Sequence, residues 1–395
     1  MTRKNSTLLA AVAALAGFTL APTLSQAQNA PPQGVSATEI TLGSIQDLSG
    51  PIAGFGKQSR LGMMLAVDEI NEQGGINGRK LKLIVEDSAY DPKRAVLAAQ
   101  KLVNQDKIFI MLGHLGTAQN MAAMPVQFEK NVINFFPITA AREMYEPFHK
   151  LKYSFAATYF DQMRNAVPKM VKDKGAKKVC TIYQDDDFGL EVQRGAEAGL
   201  KTIGMELAEK TSFKRGATDF SSQVSKMQAS GCDLIVMGTI IRETIGTIGT
   251  ARKSGYNPTF LASSAGYTDL IHKLGGPAMN GLYATMTVQN PYLDEASKPI
   301  QFWAAKYKTK FNEDPTVFSV YGYTIVDTFA KAATKAGKGL STDSFIKAMD
   351  TMSIPTDMFG SAPASFTATK RLGSEASRLS QITDGKWKVI SEYIK

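Results

Sequence analysis

Between residues 43 and 92 the chain reads GSIQDLSGPIAGFGKQSRLGMMLAVDEINEQGGINGRKLKLIVEDSAYDP, and this order of segments admits few folds. A strand from Ile40 to Ile45 runs into a Gly/Ser/Pro loop and then a long helix; Gly74 and Gly75 stop the helix, and a second strand ends in an acidic turn. Strand, helix and strand at this spacing make a βαβ unit, which calls for a parallel sheet covered by helices. Met63, Val67, Ile70 and Gly74 recur at helical spacing and give the helix one face to lay on that sheet. The cluster Asp47-Leu48-Ser49-Gly50-Pro51 breaks regular structure beyond the strand's carboxyl end, where open α/β sheets bind ligands.

The alternation continues along the chain. It predicts a helix over Lys93 to Asn104, a strand over Ile108 to Leu112, a helix over Thr117 to Phe128 and a strand over Val132 to Phe136. A second series predicts strands at Lys178 to Tyr183, Glu206 to Thr211, Asp233 to Met237 and Thr259 to Ala262. Between them fall helices at Leu190 to Ile203, Ser221 to Ala229 and Thr244 to Ser254, the first striped by Val192, Ala196, Leu200 and Ile203. The series join around Tyr153 to Asp161, where Asp161 is placed to cap the following helix. Beyond Gly281 the chain turns helix-rich, with Pro299 to Lys310 and Val317 to Ala336, and closes with short strands at Leu379 to Ile382 and Trp387 to Ile394. Asp384-Gly385 between those strands is a hairpin signal. The fold class expected is α/β, with two similar doubly wound halves.

Arg3 and Lys4, the apolar run Leu8 to Leu20 and the small residues of Ser25-Gln26-Ala27 have the layout of a secretory signal over residues 1–27, with mature protein starting near Gln28. The run is too short for a membrane span, and nothing else approaches about 20 consecutive apolar residues. No cysteine follows the run, so a free export product is expected rather than a lipid-anchored one. Cys180 and Cys232 both fall in or beside predicted strands; an exported chain would permit a bridge, and two buried thiols are an equal reading. The formal charge of +9 comes from basic residues interleaved with acidic ones, as in Glu206 to Lys210 and Lys298 to Lys310. That pattern lacks the dense basic run a phosphate-tracking surface needs, and no nucleic-acid partner is expected.

The chain resembles the periplasmic solute-binding proteins of branched-chain amino acid transporters, the leucine/isoleucine/valine-binding family. The residues that carry the resemblance are Leu48-Ser49-Gly50-Pro51, Gly54-Phe55-Gly56, Asp68-Glu69-Ile70-Asn71 with Gly74-Gly75-Ile76, and Asp87 through Asp91-Pro92. Gly113-His114-Leu115, Asp185-Asp186-Asp187-Phe188-Gly189 and Asp219-Phe220-Ser221 extend it through the chain. The resemblance implies a type I periplasmic binding protein with two Rossmann-like lobes joined by a three-strand hinge, the chain crossing near residues 157, 286 and 373. Lobe 1 would then comprise residues 38–157 plus 287–373, and lobe 2 residues 158–286 plus 374–395. It implies a periplasmic, monomeric subunit of an ABC importer that closes on a small solute and delivers it to an inner-membrane permease. A ligand-sensing receptor on the same fold is the rival.

Within that frame the ligand carboxylate is expected at Gly116 and Thr117, where unpaired amides at a helix start favour an anion. The turn Ile138-Thr139-Ala140 would complete that end, although the family's usual Thr aligns with Ala140, beside Thr139. Phe55 and Phe188 would close over the ligand from opposite lobes, as apolar walls that donate no hydrogen bond. Ser264 stands where amino acid binders usually supply a carboxylate for the ligand ammonium, and Ile240 stands at an often aromatic position. A buried ammonium without a partner is costly, which points to an aromatic or aliphatic acid or a small amide-like solute, with branched-chain amino acids as the conservative alternative. Arg242 could fork onto a second polar head or pair with Glu243, and Arg142 and Tyr159 flank the expected cleft entrance.

Catalytic readings fail on spacing. His114, His149 and His272 lie at no metal-ligand spacing, and a packed or capping imidazole is expected for His114; no metal or cofactor is called for. Gly54-Phe55-Gly56-Lys57-Gln58 has Pro51 where a phosphate loop needs Gly, and Gln58 where it needs Ser or Thr; Ser59 is the missing third Gly of a dinucleotide fingerprint. Ala262-Ser263-Ser264-Ala265-Gly266 lacks the first Gly of a nucleophile elbow and a triad downstream. The chain is expected to bind, not to catalyse.

Overall fold

The computed structural model describes residues 1–2 and 32–395. The secretory signal expected over residues 1–27 lies outside the described residues, apart from its first two. Residues 32–395 form one compact unit.

In chain order the first series is β1 (Glu39–Gln46), α1 (Ala53–Glu72), β2 (Lys80–Asp87), α2 (Pro92–Gln100), β3 (Ile110–Leu112), α3 (Thr117–Glu129), β4 (Ile133–Phe135) and β5 (Lys152–Tyr153). These strands make a five-stranded parallel sheet in the order β2-β1-β3-β4-β5. The second series is α4 (Tyr159–Lys174), β6 (Val179–Gln184), α5 (Asp187–Lys201), β7 (Leu207–Phe213), α6 (Ser221–Ala229), β8 (Leu234–Gly238), α7 (Ile241–Lys253), β9 (Thr259–Ala262), α8 (Asp269–Gly275) and β10 (Tyr283–Met286). There follow α9 (Lys298–Phe311), α10 (Val317–Ala336), α11 (Thr342–Met349), the short pair β11 (Ser353–Ile354) and β12 (Ala364–Ser365), then β13 (Arg378–Thr383) and β14 (Lys386–Val389). The second sheet has seven strands ordered β14-β13-β10-β9-β8-β6-β7; β13 and β14 are antiparallel additions to a parallel body. Strands buried on both faces explain the near-continuous apolar character of Leu234–Gly238 and Ile110–Leu112.

Strand order reverses between β1 and β3 in one sheet and between β6 and β8 in the other. These are topological switch points, the places where loops leaving adjacent strands diverge and leave a crevice. Where the chain leaves the five-stranded sheet, Ser154 pairs with Leu372 in a parallel bridge, its amide donating to the Arg371 carbonyl at 2.9 Å.

Some local readings change. Thr158, not Asp161, caps α4: the Thr158 hydroxyl accepts from the Asp161 amide, while the Asp161 carboxylate accepts from that hydroxyl within the first turn. A hydroxyl one residue outside the helix reaches a first-turn amide that Asp161, already helical, cannot cap. Ile203 lies past the end of α5 and is exposed, because the helix closes at Lys201. The last strand stops at Val389 instead of running to Ile394, and its hairpin turn uses Asp384 and Gly385, both at positive φ. The predicted helix over Lys93 to Asn104 continues past Gln100 as one wide π turn, Lys101–Gln105. Cys180 on β6 and Cys232 ahead of β8 are joined as a disulfide with Cα atoms 5.9 Å apart, as adjacent strands allow.

Candidate functional site

The loop after β1 is shaped by two carboxylates. Asp47 accepts from the Gly50 amide at 2.5 Å and the Ile52 amide at 2.8 Å, and Asp87 accepts from the Leu48 amide and the Ser49 hydroxyl. This turn delivers Ile52 and Phe55 to a cavity of about 670 Å³ of empty space, counting the part open to solvent. The loops after β3, β4 and β5 and those after β6, β8, β9 and β10 supply most of its remaining walls. The cavity therefore lies at the carboxyl ends of both sheets, across both switch points.

Gly116 and Thr117 line it at the start of α3. Gly116 has φ 99°, and a Cβ there would meet the Gln119 Oε1 atom at 2.2 Å, so only glycine suits the turn that aims this helix end. The first intrahelical bond runs from the Asn120 amide to the Gly116 carbonyl, which leaves the amides of Thr117, Ala118 and Gln119 without intrahelical partners. Thr117 is the first helical residue, with Gly116 in the cap position, and its hydroxyl lies 2.6 Å from that of Thr139. Two hydroxyls sharing one hydrogen bond keep one O–H free to donate. Ile138, Thr139 and Ala140 all line the cavity here, and Leu115 and Ile138 join by a parallel bridge.

Phe55 and Phe188 border the same cavity, Phe55 from α1 and Phe188 from the first turn of α5. Phe55 stacks on Phe318 with centroids 3.7 Å apart, and Phe188 meets Tyr159 edge-on at 5.0 Å. Tyr159 donates its amide to the Ala140 carbonyl at 2.6 Å, and burial pushes its hydroxyl above the ordinary tyrosine range. Ile240 and Ser264 line the side formed by loops of the seven-stranded sheet. Gln162 holds Ser264 in place: its amide nitrogen donates to the Ser264 hydroxyl at 2.9 Å, and its oxygen accepts from the Ser264 amide and the Thr285 hydroxyl.

Two arginines lie apart from this lining. Arg242 falls on the second position of α7, one turn-step beyond the wall residue Ile240; its side chain is 44% exposed and sits 3.9 Å from Glu243. Arg142 is committed elsewhere, forked onto Glu191 of α5 at 2.8 and 3.0 Å and laid over the Phe160 ring at 3.9 Å. Sequence reasoning passed over Tyr90, Phe155, Gln162, Thr287, Phe318 and Tyr321, all of which line the cavity. Tyr90 belongs to the acidic turn already noted and stands at φ 57°, a left-handed backbone that a sequence does not advertise for tyrosine. Thr287 follows β10, a four-residue strand too short for its alternation to register.

A family model described as periplasmic binding protein matches residues 39–386. The chain belongs to that family. An amino acid binding protein of Pseudomonas aeruginosa is 27% identical over 303 residues, which span 76% of this chain and 79% of that one. From the same organism, a leucine-, isoleucine-, valine-, threonine- and alanine-binding protein is 26% identical over 77% of this chain and 80% of its own. Among solved structures, a fatty acid ABC transporter substrate-binding protein from Thermomonospora curvata superposes with a TM-score of 0.84 at 22% identity, covering 92% of this chain and 94% of that one. The fold is that of a type I periplasmic binding protein, and members of the family are binding proteins. No helix among the described residues is long and apolar enough to cross a membrane.

Proposed function

We propose that this periplasmic binding protein is the substrate-binding subunit of an ABC importer and captures a small hydrophobic monocarboxylate between its lobes. The observation that carries this reading is that no charged side chain is among the cavity's lining residues. An α-amino acid buried there would strand its ammonium, whereas a lone carboxylate has the amides of the α3 start and the Thr117–Thr139 hydroxyls to hold it. Phe55, Ile138, Phe188 and Ile240 supply the apolar walls, and Gly116, Ala140, Tyr159 and Ser264 complete the binding surface. The lobe division 38–157 plus 287–373 against 158–286 plus 374–395 is supported by the way β1 to β5 and β6 to β10 sort into separate sheets. Export through a cleaved signal, a monomeric state, delivery to an inner-membrane permease and the absence of turnover complete the proposal.

The second reading, a hydrophobic amino acid as cargo, is favoured by the names of the Pseudomonas relatives. Calorimetric titration with leucine and phenylalanine against their des-amino analogues separates the two. Tighter binding of the des-amino acids, weakened at least tenfold by Thr117→Val, is expected. Tighter binding of the amino acids would establish the second reading instead.

A further inference from the structure

The cavity holds a second hydroxyl pair. Thr287, leaving β10, and Tyr321, on α10, both line it, and their hydroxyls are 3.2 Å apart. Neither shares an element with Thr117 or Thr139, and among the described residues neither hydroxyl has another hydrogen-bond partner. One of the two hydrogens is consumed between them, so one O–H remains to donate, with lone pairs beside it to accept. The Tyr321 ring is fixed by aromatic neighbours, Phe155 at 5.7 Å and Phe318 at 5.7 Å, and Phe318 is itself stacked on Phe55. Burial pushes the Tyr321 hydroxyl up to about 12, so it stays neutral and keeps its proton.

A ligand that laid only hydrocarbon over this pair would bury an unanswered donor, which costs more than the bond itself is worth. A second carboxylate would find no cation among the lining residues. We infer that Thr287 and Tyr321 read an uncharged oxygen on the ligand, so that the preferred solutes are monocarboxylates carrying an additional hydroxyl or carbonyl group. This inference rests on the monocarboxylate reading of the site and assigns its specificity to a hydroxyl pair carried by elements other than those of Thr117 and Thr139.

The test is calorimetric titration of the protein with phenylpropanoate and with its ortho, meta and para ring-hydroxylated derivatives. Wild type should bind at least one hydroxylated acid about tenfold more tightly than the parent acid, the worth of one added hydrogen bond. Tyr321→Phe and Thr287→Val, both close in shape to the native residues, should each shrink that preference while binding the parent acid at least as well. Equal binding of all four acids by wild type, or a preference that survives both substitutions, overturns the inference and leaves the monocarboxylate reading standing. Failure of wild type to bind any of the four overturns both.

Discussion

Both ring nitrogens of His114 are buried without a protein hydrogen-bond partner among the described residues, and burial pushes the imidazole down to about 3. In the unfolded chain the same group titrates near 6.5, so between those values the unfolded state takes up a proton that the folded state refuses. Stability is therefore full above about pH 6.5 and falls as the pH drops, by about 2 kcal/mol from this residue by pH 5. His149 and His272 are shifted down as well and act in the same direction. Denaturant unfolding at pH 7 and pH 5 should show this loss in wild type and a visibly smaller one in His114→Leu. His114 sits two residues before Gly116 and holds it only through its backbone: its carbonyl accepts from the Ile138 amide and from the Asn120 side chain. The motif Gly113-His114-Leu115 marks the site, while the imidazole itself serves as interior packing.

At the level of elements, the pairing of α1 with α10 governs the apolar wall. A Cβ on Gly322 would lie 2.0 Å from the Ser59 carbonyl oxygen, and one on Gly62 would lie 2.0 Å from that of Ser319. The two backbones approach as closely as glycine permits, and this brings Phe55 and Phe318 into their stack. Gly322→Ala must push the helices apart; although alanine is the better helix former, a net loss of about 1–3 kcal/mol is expected in thermal unfolding. Weaker ligand binding should accompany it, since Tyr321 adjoins the substitution. The disulfide between Cys180 and Cys232 closes a loop of 52 residues across β6 and β8. In the chain-entropy picture that loop contributes up to about 4 kcal/mol, so the double variant C180A/C232A should melt well below the oxidised wild type, and reducing agent should lower only the latter.

Across the whole molecule, the two sheets are tied at the cleft by two arginines that are not themselves among the lining residues. Arg142, after β4, forks onto Glu191 of α5, whose carboxylate is fully buried. Arg215, between β7 and α6, donates to the Tyr90 carbonyl at 3.0 Å, pairs with Asp186 at 2.6 Å and lies over the Tyr90 ring at 4.7 Å. Each links a loop of the five-stranded sheet to a loop or helix of the seven-stranded sheet. Removing Arg142 leaves the buried Glu191 carboxylate without its forked cation. On the proposed reading, in which two lobes close over an acid, Arg142→Ala should raise the Kd for that acid at least tenfold through faster release, measured by stopped-flow displacement. An unchanged off-rate would show that the contact does not oppose opening.

The doubly wound architecture and the order of its elements were legible in the chain, because helical and strand periodicities are local and because glycine and proline clusters mark strand ends; the residues expected at the ligand came from the family resemblance. Thr117 was placed at a helix start by the residues around it, while Phe55 and Phe188 were singled out by the family resemblance and both border the cavity. The tertiary structure alone decided which side chains converge from distant segments. Gln162 reaches Ser264 across 102 positions, Tyr321 meets Thr287, and Arg142 turns from the cavity to Glu191. Such partnerships depend on how two sheets pack against shared helices, a geometry that no local pattern of apolar and polar residues encodes.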